Sequence, residues 1–247
     1  MVDPKPLQTF PAVRPVSASR LADEVVEQIR NIILKNDLSE GTRLPSERDL
    51  ASQLGASRPI IAQALRTLSM MGLVDIRPGS GAYVMRRPEH LIAQSMQLMM
   101  EVDGDSLDHL LDLRLLLEDR GAALAITGAT ETDLGKVHRA LDRMTNAASA
   151  SSWVAADAVF HVALVRAGQN EYLAAMFEAV HTTAVSNTYR TWIESGKAPS
   201  WLFVSRDRPD EVHVAMLDAL QRGDAVAMHE HVLAHHEAML SHLRGSS

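Results

Sequence analysis

The first ninety residues contain three short helical patterns followed by a hairpin pattern. Residues 21–37 repeat apolar side chains every three to four positions, which predicts an amphipathic helix. Ser46 and Ser57 are placed to cap two further short helices, the first of which ends at Gly55. Two short helices joined by a tight turn form a helix-turn-helix.

Residues 73–85, LVDIRPGSGAYVM, alternate apolar and polar side chains on either side of a Pro-Gly-Ser-Gly turn. This pattern predicts a β-hairpin with a glycine-rich tip. Three helices followed by a hairpin make the element order of a winged helix-turn-helix.

Beyond Pro88 the pattern is helical almost throughout, and glycines or prolines separate the segments. We predict an antiparallel helical bundle here, which makes the whole chain mainly α. The predicted helices cover residues 89–102, 106–127, 131–148, 152–168, 171–194, 206–222 and 224–243.

The composition limits the chemistry available to this chain. Its 247 residues are 46% hydrophobic and 22% charged and include no cysteine. Disulfides, thiolate nucleophiles and iron–sulfur clusters are therefore excluded, and any metal must be held by His, Asp or Glu. Residues 1–16 are rich in proline and lack an apolar core, so we expect a disordered arm rather than a signal peptide. No segment has transmembrane length, and we expect a cytoplasmic protein without membrane contact.

The charge is distributed unevenly. The chain as a whole carries a net charge of −7, but residues 17–87 have ten basic and eight acidic side chains, a net charge of +2. Residues 88–247 have 12 basic and 22 acidic side chains, a net charge of −10. An acidic body repels phosphate, so any contact with nucleic acid must come from the first segment. We expect two domains, 17–87 and 88–243.

The first domain resembles the GntR transcription regulators. The likeness lies in LPSERDLASQLGASR (44–58) and ALRTLSMMGLVDIRPGSGAYV (64–84). It implies DNA contacts from the Arg of the SER motif, from the Ser-Arg pair that opens the recognition helix, and from the wing tip. An arginine at a helix N-terminus can also reach a base edge or a phosphate. The expected DNA-binding residues are Arg48, Ser57, Arg58, Arg66, Gly79, Ser80 and Gly81.

The recognition helix departs from the family pattern at one point. Ala62-Gln63 stands where family members commonly have Arg-Glu, which removes a cation from the helix and puts the usual operator in doubt. Arg48 and Arg66 also have an ordinary alternative as solvated surface charges.

Histidines and one aspartate suggest a metal site in the second domain. Asp157 and His161 are four residues apart, so they share a helix face and could hold one metal ion, although a surface ion pair would have the same spacing. His213 lies in a later helix. Four more histidines, which could equally form a solvated face, are His229, His231, His235 and His236.

The second domain is similar to the FCD domain of the FadR-like branch of that family, from about residue 89 to 243. This resemblance implies that Asp157, His161, His213 and His235 bind a divalent metal ion, for which Zn, Ni and Mn are all suitable. His235 is preferred to His231 and His236 because its distance from Asp224 fits the family.

Two further residues are candidates for effector binding. Arg114 could hold a carboxylate through its guanidinium group, or it could pair with Glu118 one turn along the same helix. Asn187 lies in a helix from which family ligand contacts often arise.

These features predict a homodimeric DNA-binding regulator, more often a repressor, that is controlled by a small carboxylate beside the metal and binds a palindromic operator. One alternative is a regulator whose metal is purely structural and which has no carboxylate effector. The other is a metal-dependent hydrolase or lyase, against which stands the absence of a convincing general base. We therefore expect no enzyme activity.

Overall fold

The computed structural model describes residues 19–87, 89–103, 107–195 and 211–245. The chain divides into two compact units, residues 1–88 and 89–247. The first unit contains three helices and a two-stranded sheet: α1 (Ser19–Lys35), α2 (Glu47–Leu54), α3 (Arg58–Met70), β1 (Val74–Arg77) and β2 (Gly81–Val84). Its residues 1–18 and 88, and with them the predicted arm at 1–16, lie outside the described residues.

The caps of α2 and α3 fall at the predicted serines. The Ser46 side chain accepts a hydrogen bond from the Asp49 backbone N–H, and Gly55 closes α2 in the left-handed conformation. Ser57 occupies the N-cap of α3, but its side chain makes no capping hydrogen bond. The Ser57 hydroxyl therefore remains available on the surface.

Apolar faces of the three helices meet in one core. Val25, Ile29 and Ile33 of α1 pack with Ile61 and Leu68 of α3. Two further apolar residues of α1, Leu21 and Ile32, lie at the edge of this core and are 39% and 41% exposed.

The hairpin pairs β1 with β2 in antiparallel register, with Val74 opposite Val84 and Arg77 opposite Gly81. Gly79 and Gly81 adopt φ of 74° and 115°, which a residue with a side chain rarely adopts, and this explains the glycines of the turn. The chain before α2 adds an isolated antiparallel bridge to β2, in which Arg43 lies opposite Tyr83 and Leu44 N–H donates to the Ala82 carbonyl at 2.8 Å. The sequence pattern did not predict this pairing.

In the residues that the structure describes, the second unit consists of helices joined by short turns. Its helices are α4 (Glu89–Asp103), α5 (Leu107–Gly128), α6 (Glu131–Thr145), α7 (Ala150–Arg166), α8 (Glu171–Ser195), α9 (Glu211–Arg222) and α10 (Ala225–Gly245). The main core joins α5, α6, α7, α9 and α10 around side chains such as Phe160, Leu164 and Met216. The prediction of a mainly α chain with a hairpin after the third helix is confirmed.

The boundary between α6 and α7 differs from the prediction. The expected helices 131–148 and 152–168 are instead Glu131–Thr145 and Ala150–Arg166. Ser149 and Ser152 form a reciprocal capping box, in which each side chain accepts from the other's backbone N–H. This cap starts α7 two residues earlier than the periodicity suggested.

Helices α5 and α7 approach each other closely at Gly121. A Cβ atom at this position would lie 2.6 Å from Val165 Cγ1, which is shorter than van der Waals contact allows. The missing side chain lets the two helices pack face to face, and this brings Glu118 of α5 against His161 of α7.

Candidate metal centre and nucleic-acid interface

Four polar side chains converge inside the helical unit. Asp157 and His161 lie one turn apart on the inner face of α7, His213 lies on α9 and His235 on α10. One potential ligand atom from each of these residues lies within 4.8 Å of the others. Asp157, His161 and His213 are buried, whereas His235 is partly exposed.

The distances between these atoms suit one coordination sphere. His161 Nε2 and His213 Nε2 are 3.0 Å apart. Asp157 Oδ1 lies 3.4 Å from His161 Nε2 and 3.2 Å from His213 Nε2. Ligands about 2.0–2.2 Å from a tetrahedral zinc ion are separated by about 3.3–3.6 Å, so these spacings are close to those of a metal site. Asp157 Oδ1 is buried and has no hydrogen-bond partner among the described residues, which also fits an atom meant for a cation. The donor set therefore fits a divalent metal ion.

Glu118 holds His161 from behind. The Glu118 carboxylate is hydrogen-bonded to His161 Nδ1, so that the opposite ring nitrogen, Nε2, points to Asp157 and His213. A carboxylate behind a ligating histidine fixes the ring and its tautomer.

The electrostatics of this group favour charged carboxylates. Burial acts to raise the pKa of the Glu118 carboxyl, but Arg114 and His161 outweigh it and hold the pKa well below its ordinary value. Burial is also outweighed at Asp157, whose pKa is lowered by His161 and His213. Burial acts to lower the pKa of His161, yet Glu118 and Asp157 raise it above its ordinary value. The centre thus holds two charged carboxylates. Arg114 compensates the charge of Glu118, while Asp157 faces His161 and His213, where a bound cation would compensate it.

Two buried residues, Glu118 and His181, join the centre through Arg114 and were not among the predicted metal ligands. Arg114 Nη2 lies 3.1 Å from Glu118 Oε2, and Arg114 Nε donates to His181 Nδ1 at 2.9 Å. His181 lies on α8 and stacks on Phe177 with 5.2 Å between ring centroids. Its pKa is well below the ordinary value, because the ring is buried and the Arg114 cation is adjacent. From the sequence, Glu118 was expected only as a possible partner of Arg114, and His181 was not predicted. The spacing of Phe177 and His181, four residues apart on one helix, was the only local pattern that indicated an inward-facing ring at position 181.

The other C-terminal histidines lie elsewhere. His229 is exposed and its Nδ1 lies 2.7 Å from Asp119 Oδ1. His231 is partly exposed, and His236 is buried away from the four-residue cluster. Of the candidates on α10, the structure brings His235 to the other three residues.

The two predicted effector residues have different environments. Arg114 is 1% exposed, and the pair with Glu118 that the sequence left open is present. Its third nitrogen, Nη1, donates to the Met239 sulfur at 3.9 Å. The side chain of Asn187 lies outside the described residues, although its backbone belongs to α8.

In the first unit, basic side chains surround a concave surface between α2, α3 and the hairpin. This surface encloses about 430 Å³ and is lined by Arg43, Arg48, Arg58, Arg77 and the turn Gly79–Gly81, among others. The Arg48 side chain is 85% exposed. Arg66 is exposed on α3 but does not line this surface. Arg43 and Arg77 add two basic residues to the DNA-binding set expected from the sequence.

The wing tip is held in place by its own side chains. Ser80 Oγ and Tyr83 Oη are hydrogen-bonded at 2.6 Å. The Arg77 guanidinium lies 4.3 Å from the centre of the Tyr83 ring, a cation–π contact. An exposed and preorganised basic tip beside a helix N-terminus suits a phosphate backbone.

Both units of the chain match known protein families. Residues 21–84 match "Bacterial regulatory proteins, gntR family", and residues 109–238 match "FCD domain". The chain belongs to the GntR family. Its FCD domain agrees with the FadR-like branch, and the family's members are transcription regulators, not enzymes.

Relatives align with this GntR regulator over most of their length. The Uxu operon transcriptional regulator of Escherichia coli K12 is 29% identical over 221 residues, 88% of this chain and 78% of its own. The HTH-type transcriptional regulator LutR of Bacillus subtilis is 30% identical over 208 residues, 83% of this chain and 92% of its own. The solved structure of Streptococcus agalactiae GntR shares the fold, with a TM-score of 0.61 and 22% identity over 88% of this chain and 98% of that one.

The regulator therefore binds DNA through its winged helix, and its FCD domain is of a kind that binds small-molecule effectors. Among the described helices, none combines the length and apolar character needed to cross a membrane.

Proposed function

We propose that this regulator represses transcription from a palindromic operator and releases it when a small organic acid binds beside a divalent metal ion in the FCD domain. The observation that carries the proposal is the convergence of Asp157, His161, His213 and His235, with Asp157 Oδ1 buried and lacking a hydrogen bond from the described residues. These four residues would hold Zn²⁺, Ni²⁺ or Mn²⁺, all of which accept imidazole and carboxylate ligands. The bound ion supplies positive charge that attracts an acid's carboxylate oxygen.

The protein's own residues prepare the acid site. Glu118 orients His161, and Arg114 compensates the buried charge of Glu118. Arg114 Nη1, whose partner among the described residues is the weakly accepting Met239 sulfur, would donate one hydrogen bond to a carboxylate. We assign Asn187 of α8 to the same effector site.

The DNA contacts follow from the winged helix. We assign base or phosphate contacts to Arg58 at the start of α3, phosphate contacts to Ser57 and Arg48, and minor-groove contacts to Gly79, Ser80 and Gly81, with Arg66 as an additional cation. The free Ser57 hydroxyl and the exposed Arg48 and Arg58 support this assignment. A homodimer in the cytoplasm, presenting two winged helices to two half-sites, completes the proposal.

Regulation would then be a shift between two populations of the dimer. The acid would bind more tightly to the dimer arrangement that does not fit the operator. Operator affinity would then fall by up to the ratio of the acid's affinities for the two arrangements. Coupling of about 1–3 kcal/mol would change that affinity about 5- to 150-fold.

The test combines operator release with metal analysis. Operator DNA is first selected from a random duplex library with the full-length protein. Fluorescence anisotropy then measures its affinity against a panel of small carboxylates and sugar acids, with and without EDTA. We expect one class of acid to weaken binding only when metal is present. Stability that depends on metal without any acid response would instead indicate a structural ion, and acid-dependent tightening would contradict release of the operator by the acid.

A further inference from the structure

A buried histidine beside the candidate metal centre has one ring nitrogen without a hydrogen-bond partner in the part of the chain that the structure describes. His181 on α8 is 1% exposed, and its ring centroid lies 5.4 Å from that of His161. Its Nε2 has no hydrogen-bond partner among the described residues. Buried polar atoms in folded proteins almost always have a partner, so an orphaned one beside a binding site calls for an explanation.

Arg114 determines which proton His181 carries. The Arg114 Nε–H donates to His181 Nδ1 at 2.9 Å, and a guanidinium can only donate. Nδ1 must therefore present its lone pair, and a neutral imidazole with an acceptor at Nδ1 carries its proton on Nε2. The Glu118 carboxylate, 3.1 Å from Arg114 Nη2, holds the guanidinium in this orientation.

This tautomer separates His181 from the histidines of the cluster. A ring nitrogen that carries a proton cannot be a metal ligand, so Nε2 of His181 is excluded from coordination. It is instead a hydrogen-bond donor that needs an acceptor. Its ring neighbours do not supply one, because Phe177 offers only a stacked ring and His161 commits Nδ1 to Glu118 and Nε2 to the cluster.

We propose that His181 is an effector-recognition residue whose Nε2–H donates a hydrogen bond to a carboxylate oxygen of the acid bound beside His161. Arg114 acts as its positioning residue by fixing the tautomer. This inference rests on the proposed function, since it names the protein group that recognises the acid. A carboxylate oxygen is a strong acceptor for a buried N–H, and a cation at this place would be repelled.

Two variants separate the two ring nitrogens. His181→Asn places an amide oxygen near the position of Nδ1, where it can still accept from Arg114, but it has no donor near the position of Nε2. His181→Gln reaches further and can place an N–H there. We expect acetate to bind the Zn²⁺-loaded His181→Asn protein about 10- to 100-fold more weakly than wild type, the usual weight of a hydrogen bond to a charged group. His181→Gln should stay within about threefold of wild type.

The measurement is a titration of the full-length, Zn²⁺-loaded protein with acetate, followed by NMR with ¹⁵N-labelled histidine. The same spectra report the tautomer, and we expect a protonated Nε2 on His181 and a shift of this signal as acetate binds. Zinc content, determined by mass spectrometry, should be equal in the three proteins.

Each failure has a different meaning. Equal acetate affinity in both variants would overturn the role of His181 while leaving the metal and acid site intact. A protonated Nδ1 or a zinc-bound Nε2 would overturn the role of Arg114. Zinc binding without any acetate effect on Nε2 would overturn a carboxylate as the partner of His181. Failure of the wild-type protein to take up zinc would instead contradict the proposed function.

Discussion

Arg114 and Glu118, one turn apart on α5, form an ion pair in which Nη2 lies 3.1 Å from Oε2 and the side chains are 2% and 1% exposed. Two buried charges are costly to desolvate and are tolerated because each compensates the other. The pair also connects His181 of α8 to His161 of α7, since Arg114 bonds the first and Glu118 the second. A change at this pair therefore affects both the stability of the domain and the geometry of the metal centre.

Replacing Glu118 with Gln should destabilise the protein strongly. The variant leaves the Arg114 guanidinium buried without a compensating charge, which typically costs about 3–5 kcal/mol. Urea unfolding in the presence of EDTA measures this loss without a contribution from bound metal. The matched control is Asp142→Asn, which breaks an exposed pair with His138 and should cost at most about 1 kcal/mol. If the two variants lose equal stability, the buried pair does not have the role we give it.

Replacing His213 with Ala should remove bound metal. His213 Nε2 lies 3.0 Å from His161 Nε2, and without it the site loses one of three imidazoles. We expect zinc affinity to fall by at least about tenfold, since even residues behind a metal ligand have effects of 10- to 100-fold. Zinc at 100 times its dissociation constant would stabilise the wild-type protein by about 2.7 kcal/mol. At the same zinc concentration, the stabilisation of His213→Ala should be smaller.

Metal content and thermal unfolding with and without EDTA measure these effects. His229→Ala is the control, because His229 is an exposed histidine of α10 that pairs with Asp119 outside the cluster. Unchanged zinc content in His213→Ala would show that the site lies elsewhere.

Periodicity and caps predicted local features of this fold well. The helix-turn-helix caps at Ser46 and Ser57, the hairpin and the Asp157–His161 spacing all depend on residues a few positions apart, where sequence patterns carry information. Helix ends were predicted less well, since the Ser149–Ser152 capping box overrides the apolar period.

Contacts over long sequence distances could not be predicted in this way. Glu118 meets His161 across 43 residues, and Arg114 meets His181 across 67. No local pattern marks these partners, because they depend on how α5, α7 and α8 pack. The role of Glu118 and the presence of His181 in the centre therefore emerged only from the three-dimensional arrangement.

Replacing Arg58 with Ala should weaken operator binding without unfolding the winged helix. Arg58 is exposed at the first turn of α3, so its removal leaves no cavity. Loss of a contact to a base edge should cost about 1–3 kcal/mol, and loss of a phosphate contact should lower the salt dependence of binding by about one ion. Anisotropy titrations of the selected operator at several salt concentrations distinguish the two.

Arg30→Ala provides the comparison for that experiment. Arg30 is an exposed arginine of α1 that pairs with Glu27 and lies outside the concave basic surface. Its replacement removes the same charge but should leave operator affinity nearly unchanged. Equal effects of the two substitutions would mean that net charge, and not the start of α3, governs binding.

Acid should destabilise the N-terminus of α6 through Asp133. This carboxylate accepts hydrogen bonds from Lys136, from Gln169 and from both the backbone and the hydroxyl of Thr130, which caps the helix. These contacts, led by Lys136, hold its pKa well below the ordinary value. A carboxylate with a lowered pKa in the folded state contributes stability above its unfolded pKa, and that stability is lost as the pH falls below about 4. Asp133→Asn should therefore be less stable than wild type at pH 7, and the difference should shrink below about pH 4.

Urea unfolding of both proteins between pH 7 and pH 3 in the presence of EDTA checks this. The control is Asp218→Asn, which affects an exposed pair with Arg222 on α9 and should follow the wild-type pH dependence. A difference between Asp133→Asn and wild type that stays constant over this range would show that the loss of stability does not come from the charge of Asp133. The two contributions are separable because Asn keeps an oxygen that can accept from the Thr130 backbone but cannot carry the charge that attracts Lys136.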